Sequence, residues 1–284
     1  MTSLSAPVPP VPSDVPRGSI AWLRASVARF SNGLDHVRRR ALAVDLLAAV
    51  DADALQDSAF ARTRRLVAGL DVVDVMAGIA RPVPVGVLAE ALGLPDVSAD
   101  VVPVAAAYHP HVEPGAAAEA ALTRLLAVCG GPTELAAARI GLLVQACDAT
   151  AGLIGNGLLA ARHGKPAEQP VLATRRRIDS ADVTVSLAGT PFGAGPRACP
   201  GSRHAVALAA GVLEALHGFR LTETEISWVP APNLRMPAVL LVTRGGLLLR
   251  LTAFISRGKA GNCCTSTACS ASSRSACGSS AWST

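Results

Sequence analysis

Apolar residues recur three and four positions apart through much of the chain, the spacing of helices with one buried face. Residues 18–96 read as mostly helical. Asn32 or Asp35 can cap a helix running to about Val50, and a second helix covers about 51–70. Asp71 or Asp74 opens another apolar segment, which the run Ala80-Arg81-Pro82-Val83-Pro84-Val85 interrupts. Pro84 suits the first turn of a helix that ends at Leu92, before Gly93. Residues 97–131 carry mixed signals, with Pro103, Pro110, Pro114 and Gly130-Gly131 as breakers. Thr133 then precedes a long helical pattern through Ala161. Period-two alternation at 171–174 and 182–187 predicts strands. An alanine-rich helix is expected over 203–216, followed by strand-like runs at 225–229 and 238–243.

Composition narrows the class. Half of the 284 residues are hydrophobic but only 3% are aromatic, which favours helices packed through small side chains. The net charge of +5 comes without a basic patch interleaved with aromatics, so nucleic-acid binding is not expected. The apolar stretch 238–255 is broken by Arg244, Gly245, Gly246 and Arg250 and is not read as a membrane span. Residues 1–17 are rich in Pro and Ser without an apolar core, and are expected to be a disordered lead-in rather than a secretory signal. A cytoplasmic protein is the expectation. Four of the seven cysteines fall in the last 22 residues at spacings that match no zinc pattern. Residues 251–284 read as low-complexity tail, leaving 18–250 as the folded body.

The chemistry concentrates at Phe192-Gly193-Ala194-Gly195-Pro196-Arg197-Ala198-Cys199-Pro200-Gly201. A lone cysteine sits in a loop of glycines and prolines at the start of a helix, where loop amides and the helix dipole favour a thiolate. Glycines let the backbone approach whatever the sulfur holds. The pattern Phe-x-x-Gly-x-Arg-x-Cys-x-Gly resembles the cysteine-ligand loop of the cytochrome P450 family. A buried free cysteine in a glycine turn is the bland alternative.

Further segments resemble the same family. His36 and Arg40 lie four apart after a Phe30-Ser31-Asn32 lead, like a helix whose His-x-x-x-Arg contacts a haem propionate; as a His⁺/Arg⁺ pair they suit a carboxylate. The stretch from Asp74 to Pro95 is similar to a structural segment of soluble bacterial members. The long helix carries Asp148 and Thr150, at positions where the resemblance implies an acid and a threonine relaying protons to bound dioxygen. Two apart, they share no face of a regular helix, so a local distortion is expected. Ala146 stands where the family usually has a small glycine. Arg175, in the run Thr174-Arg175-Arg176-Arg177, is the candidate for a second propionate contact.

One departure is large. None of the eight glutamates has an arginine three residues on, so the Glu-x-x-Arg pair that pins the cysteine loop in the family is missing. The span between the Arg175 strand and the Phe192 loop is far shorter than in the family, and the family's N-terminal β-rich region is missing. The resemblance therefore implies a mainly α protein with a small β region, a compacted cytochrome P450 fold. It implies haem b, with Cys199 as axial iron ligand and Phe192, Gly193, Arg197, Gly201, His36, Arg40 and Arg175 around the cofactor. The implied activity is monooxygenation of a small organic substrate, with Asp148 and Thr150 catalytic and electrons from a ferredoxin and its reductase. A haem-binding or partner-binding protein without turnover remains the alternative, and a haem-free redox thiol at Cys199 a third.

Overall fold

Our computed structural model describes residues 3–222, 225–231 and 233–244. The expected low-complexity tail, 251–284, lies outside the described residues, as does the end of the 238–255 stretch.

Eight α-helices carry the fold of the described residues: α1 (Ile20–Ser26), α2 (Gly33–Ala48), α3 (Ala52–Leu66), α4 (Pro82–Ala91), α5 (Ser98–Ala107), α6 (Ala116–Cys129), α7 (Glu134–His163) and α8 (Ser202–Ala215). Local chemistry sets several ends. Ser19 and Thr133 accept from the backbone N–H of Trp22 and Ala136, capping α1 and α7. Gly130 and Gly164 end α6 and α7 in the left-handed conformation at φ 87° and 61°. The ambiguous segment 97–131 resolves into two helices, because Pro103 is accommodated inside α5 while Pro110 and Pro114 fall in the turn between them.

α7 organises the core. Its buried face includes Ile140, Leu143, Cys147, Thr150 and Ile154, and α4, α5 and α8 pack against it. Small residues set how closely neighbours approach: a Cβ at Gly152 would lie 2.4 Å from the Pro170 ring, and one at Gly157 would lie 2.8 Å from Leu213. α7 is long and apolar enough to cross a membrane on length and composition, but over half of that window is packed inside the protein. α3 and α8 form the closest helix pair, and Gly211 is the point of contact: a Cβ there would sit 2.2 Å from the Gln56 carbonyl oxygen.

The β structure is small. β1 (Val72–Asp74), β5 (Leu241–Arg244) and β4 (Phe219–Leu221) form one antiparallel sheet in the order β1-β5-β4. β2 (Ala173–Ile178) and β3 (Ala181–Ser186) form a hairpin with Arg176 opposite Val183. Asp179 (φ 48°) and Ser180 (φ 67°) make its two-residue turn, both left-handed as a tight hairpin requires. The expected strand at 225–229 is reduced to a single bridge, Trp228 to Pro237, because the proline-rich segment after it supplies too few ladder donors.

The lead-in has a seat. Val8 and Asn32 exchange hydrogen bonds of 2.9 and 3.0 Å, the Arg177 amide donates to Pro7, and Arg176 Nε donates to the Leu4 carbonyl. Residues 3–8 thus run across the β2 hairpin, the cysteine loop and the start of α2, although the lead-in as a whole reads as a Pro- and Ser-rich stretch without an apolar core.

Candidate functional site

The cysteine loop is built from short-range bonds. The Cys199 amide donates to the Phe192 carbonyl at 2.7 Å, closing the loop on itself. Gly193 (φ 75°) takes a left-handed conformation that other side chains avoid, so the two sides of the loop can meet. A 3₁₀ turn over Gly195–Arg197 follows, and α8 begins at Ser202. Cys199 is exposed as a residue, yet the atoms around it desolvate its sulfur. That desolvation raises the thiol pKa and outweighs the Gly201 N–H and the Arg40 and Arg29 charges, which lower it. The free thiol is therefore protonated at neutral pH, against the expectation of a thiolate ready-made by the helix start. A metal ion would supply the missing stabilisation, since coordination deprotonates a thiol outright.

Positive charge gathers beside this loop. Arg197 donates to the Ser31 carbonyl (3.0 Å) and to Asn32 Oδ1 (2.7 Å). Arg176 is buried and donates to the Leu4 and Arg175 carbonyls and to Thr174 Oγ1. Arg40 lies within electrostatic range of both Cys199 and Arg197, and His36 is buried within range of Arg197, Arg40 and Arg176. Among the described residues no carboxylate pairs with Arg40, Arg176 or Arg197. Burial first, then those three arginines, holds the His36 imidazole below its ordinary pKa. His36 is thus a neutral donor here, where the sequence suggested a cation.

Arg175 is placed elsewhere. It faces solvent beside Asp182 at 3.9 Å, while the next residue, Arg176, turns inward. The signal was in the alternation: Val183 and Val185 are the less exposed residues of β3, and their partners across the hairpin are Arg176 and Thr174. A hairpin register fixes which arginine of the run points in, and the run alone does not.

α7 also presents Val144, Gln145, Asp148 and Ala149 to an open recess of about 60 Å³. Arg29, Ala105, Tyr108, His109, Val171 and Leu234 complete most of its wall. Asp148 Oδ1 accepts from Arg81 Nε at 3.0 Å, so the Arg81 of the segment read as purely structural holds the acid in place. Thr150 does not join it. α7 runs without distortion, and Thr150 faces the core, fully buried, with its hydroxyl unpartnered. The residue beside Asp148 on the recess is Ala149, a methyl group with no proton to give. Helix geometry separates residues two apart by about 200°, and nothing here relieves it.

No protein-family model matches the chain, and no curated protein does. Solved structures do. P450BioI, crystallised in complex with an acyl carrier protein bearing hexadec-9Z-enoic acid, superposes with a TM-score of 0.62 at 17% identity, over 83% of this chain and 87% of that one. The thermophilic cytochrome P450 from Sulfolobus tokodaii gives 0.58 at 17% identity, over 76% and 81%. The cytochrome P450 PksS of the Bacillus subtilis bacillaene polyketide synthase gives 0.62 at 16% identity, over 79% and 82%. At these identities the likeness is one of fold, and it establishes the compact cytochrome P450 fold read from the cysteine loop and the long helix.

Proposed function

We propose that this chain holds haem through Cys199 and serves as a cytochrome P450-type monooxygenase acting on a small organic substrate. The observation that carries the proposal is the cluster of Arg40, Arg176 and Arg197 with His36, next to Cys199 and without a carboxylate. Buried cationic groups are normally paired. The two propionates of haem are the acids that would complete this cluster while iron meets the sulfur. The residues therefore fit the group.

When bound, haem supplies an iron centre for dioxygen activation, tuned by thiolate donation. The protein's share follows from its own atoms. Cys199 gives up its proton to become the ligand, and the Gly201 N–H steadies the sulfur's charge. Neighbouring oxygens fix the Arg176 and Arg197 guanidinium heads, which leaves Arg176 Nη2 and Arg197 Nε and Nη1 to donate to carboxylates. His36 adds a neutral donor to the same acids. Asp148 is engaged by Arg81 at Oδ1 only, which leaves Oδ2 to hold or pass a proton on the recess side. Thr150 takes no part in this arrangement. Electrons from a ferredoxin and its reductase complete the scheme.

Protein expressed with a haem precursor, reduced and exposed to carbon monoxide should show the strongly red-shifted Soret band of a thiolate-ligated ferrous haem. Cys199→Ala should lose it. A band at the position given by a neutral ligand, or no haem at all, would overturn the reading. A second reading, haem held without oxygen transfer, is favoured by Ala149 standing where the recess would need a hydroxyl. NADPH consumption without product across a substrate panel would select it. The raised thiol pKa speaks against a haem-free redox cysteine, since reactive thiols have lowered pKa values.

A further inference from the structure

We propose that the recess on α7 binds a small organic carboxylate, its acid group held by Arg29 and the Tyr108 hydroxyl and its apolar body lying against Ala105, Val144 and Ala149. Binding itself does not depend on haem; that the acid is the substrate rests on the reading above.

Three observations converge. First, Tyr108 lines the recess and is 3% exposed, yet its hydroxyl has no hydrogen-bond partner. A buried phenol without a partner costs free energy that a ligand acceptor would restore. Second, Arg29 also lines the recess and has no carboxylate partner among the described residues. Its guanidinium lies over the Phe30 ring, 5.6 Å from the centroid, and the Phe30 ring packs tilted against Tyr108 at 5.3 Å, so the three are contiguous. Third, the one acid in the wall, Asp148, is already neutralised by Arg81, and His109 beside it is held toward its uncharged form. A cation and an idle O–H donor thus belong to one recess whose wall also carries apolar Ala105, Val144, Ala149, Val171 and Leu234 beside polar Gln145 and Asn233, and an anionic head on a partly apolar body matches that lining.

The position of Tyr108 is itself fixed. Buried Arg24 donates to the carbonyls of Ala107, Tyr108, His109 and Val112, tying down the turn after α5. The backbone that carries the phenol is thus held before any ligand arrives.

Calorimetric titration of the purified full chain with phenylacetate and with phenylacetamide, its neutral isostere, tests this. The carboxylate should bind about tenfold tighter or more, as expected for a charge-assisted pair. Arg29→Met should erase the preference, Arg29→Lys should keep part of it, and Tyr108→Phe should weaken the acid several-fold while leaving the amide unchanged. Equal affinity for acid and amide, an unaltered preference in Arg29→Met, or no binding of either probe overturns the proposal. Haem content, read from the Soret band of the same samples, separates the two claims. Discrimination by haem-free protein leaves the carboxylate site standing while the haem reading falls.

Discussion

At the scale of single residues, the cysteine loop was legible because its chemistry is local: glycines, one thiol and a following helix lie within ten positions. What escaped was orientation. Thr150 and Ala149 differ by one position on α7, and one position decides between core and recess. Arg175 and Arg176 differ likewise on β2. Arg24, a buried arginine satisfied wholly by carbonyl oxygens, left no trace in the pattern, since its partners sit more than eighty residues away. The placement of Thr150 makes a sharp prediction. Its hydroxyl is buried without a partner, so Thr150→Val replaces it with a methyl of nearly the same shape and removes a desolvated group. Thermal unfolding should show equal or higher stability, and the haem spectrum and ligand affinity should stay unchanged. A loss of coupling between electron consumption and product in this variant would return Thr150 to the active site.

At the scale of elements, the helices were read well where the periodicity ran long and uninterrupted, as for α2, α3, α7 and α8. They were obscure where a proline sat inside the helix, as Pro103 does in α5. The glycines show why sequence reading stops short of packing. Gly211 sits in an ordinary helical stretch with no turn to explain it. Its reason is another element, since the backbone of α3 at Gln56 and Phe60 passes where its side chain would be. Gly211→Ala therefore cannot be absorbed by moving a flexible side chain; α3 and α8 must separate. We expect a loss of about 1–3 kcal/mol, the usual cost of overpacking, read as a lower urea midpoint. An unchanged midpoint would mean that the two helices are not in contact at this point. α8 follows directly from Cys199, so the same variant should also weaken haem retention.

At the scale of the whole molecule, the fold gathers positive charge from three distant parts of the chain around one histidine. Arg40 comes from α2, Arg176 from β2 and Arg197 from the cysteine loop, and each lowers the pKa of His36, as burial does more strongly. No negative group among the causes opposes them. The folded pKa therefore lies below the unfolded value near 6.5, and acid brings the proton to the unfolded chain first. Stability rises with pH wherever the unfolded state binds more protons. The contribution of His36 is thus fully present above pH 6.5, is lost as pH falls toward the folded pKa, and changes no further below it. His109, also held low, acts in the same direction, so the histidine must be isolated by difference. In haem-free protein, urea unfolding at pH 7.5 and 5.5 should show a loss for the wild type that His36→Gln reduces. Bound carboxylates would offset the arginines and raise the His36 pKa, so loading with haem should shrink the same difference. An equal acid loss in wild type and His36→Gln would place the histidine outside the charged cluster, and with it one of the groups proposed to meet the haem.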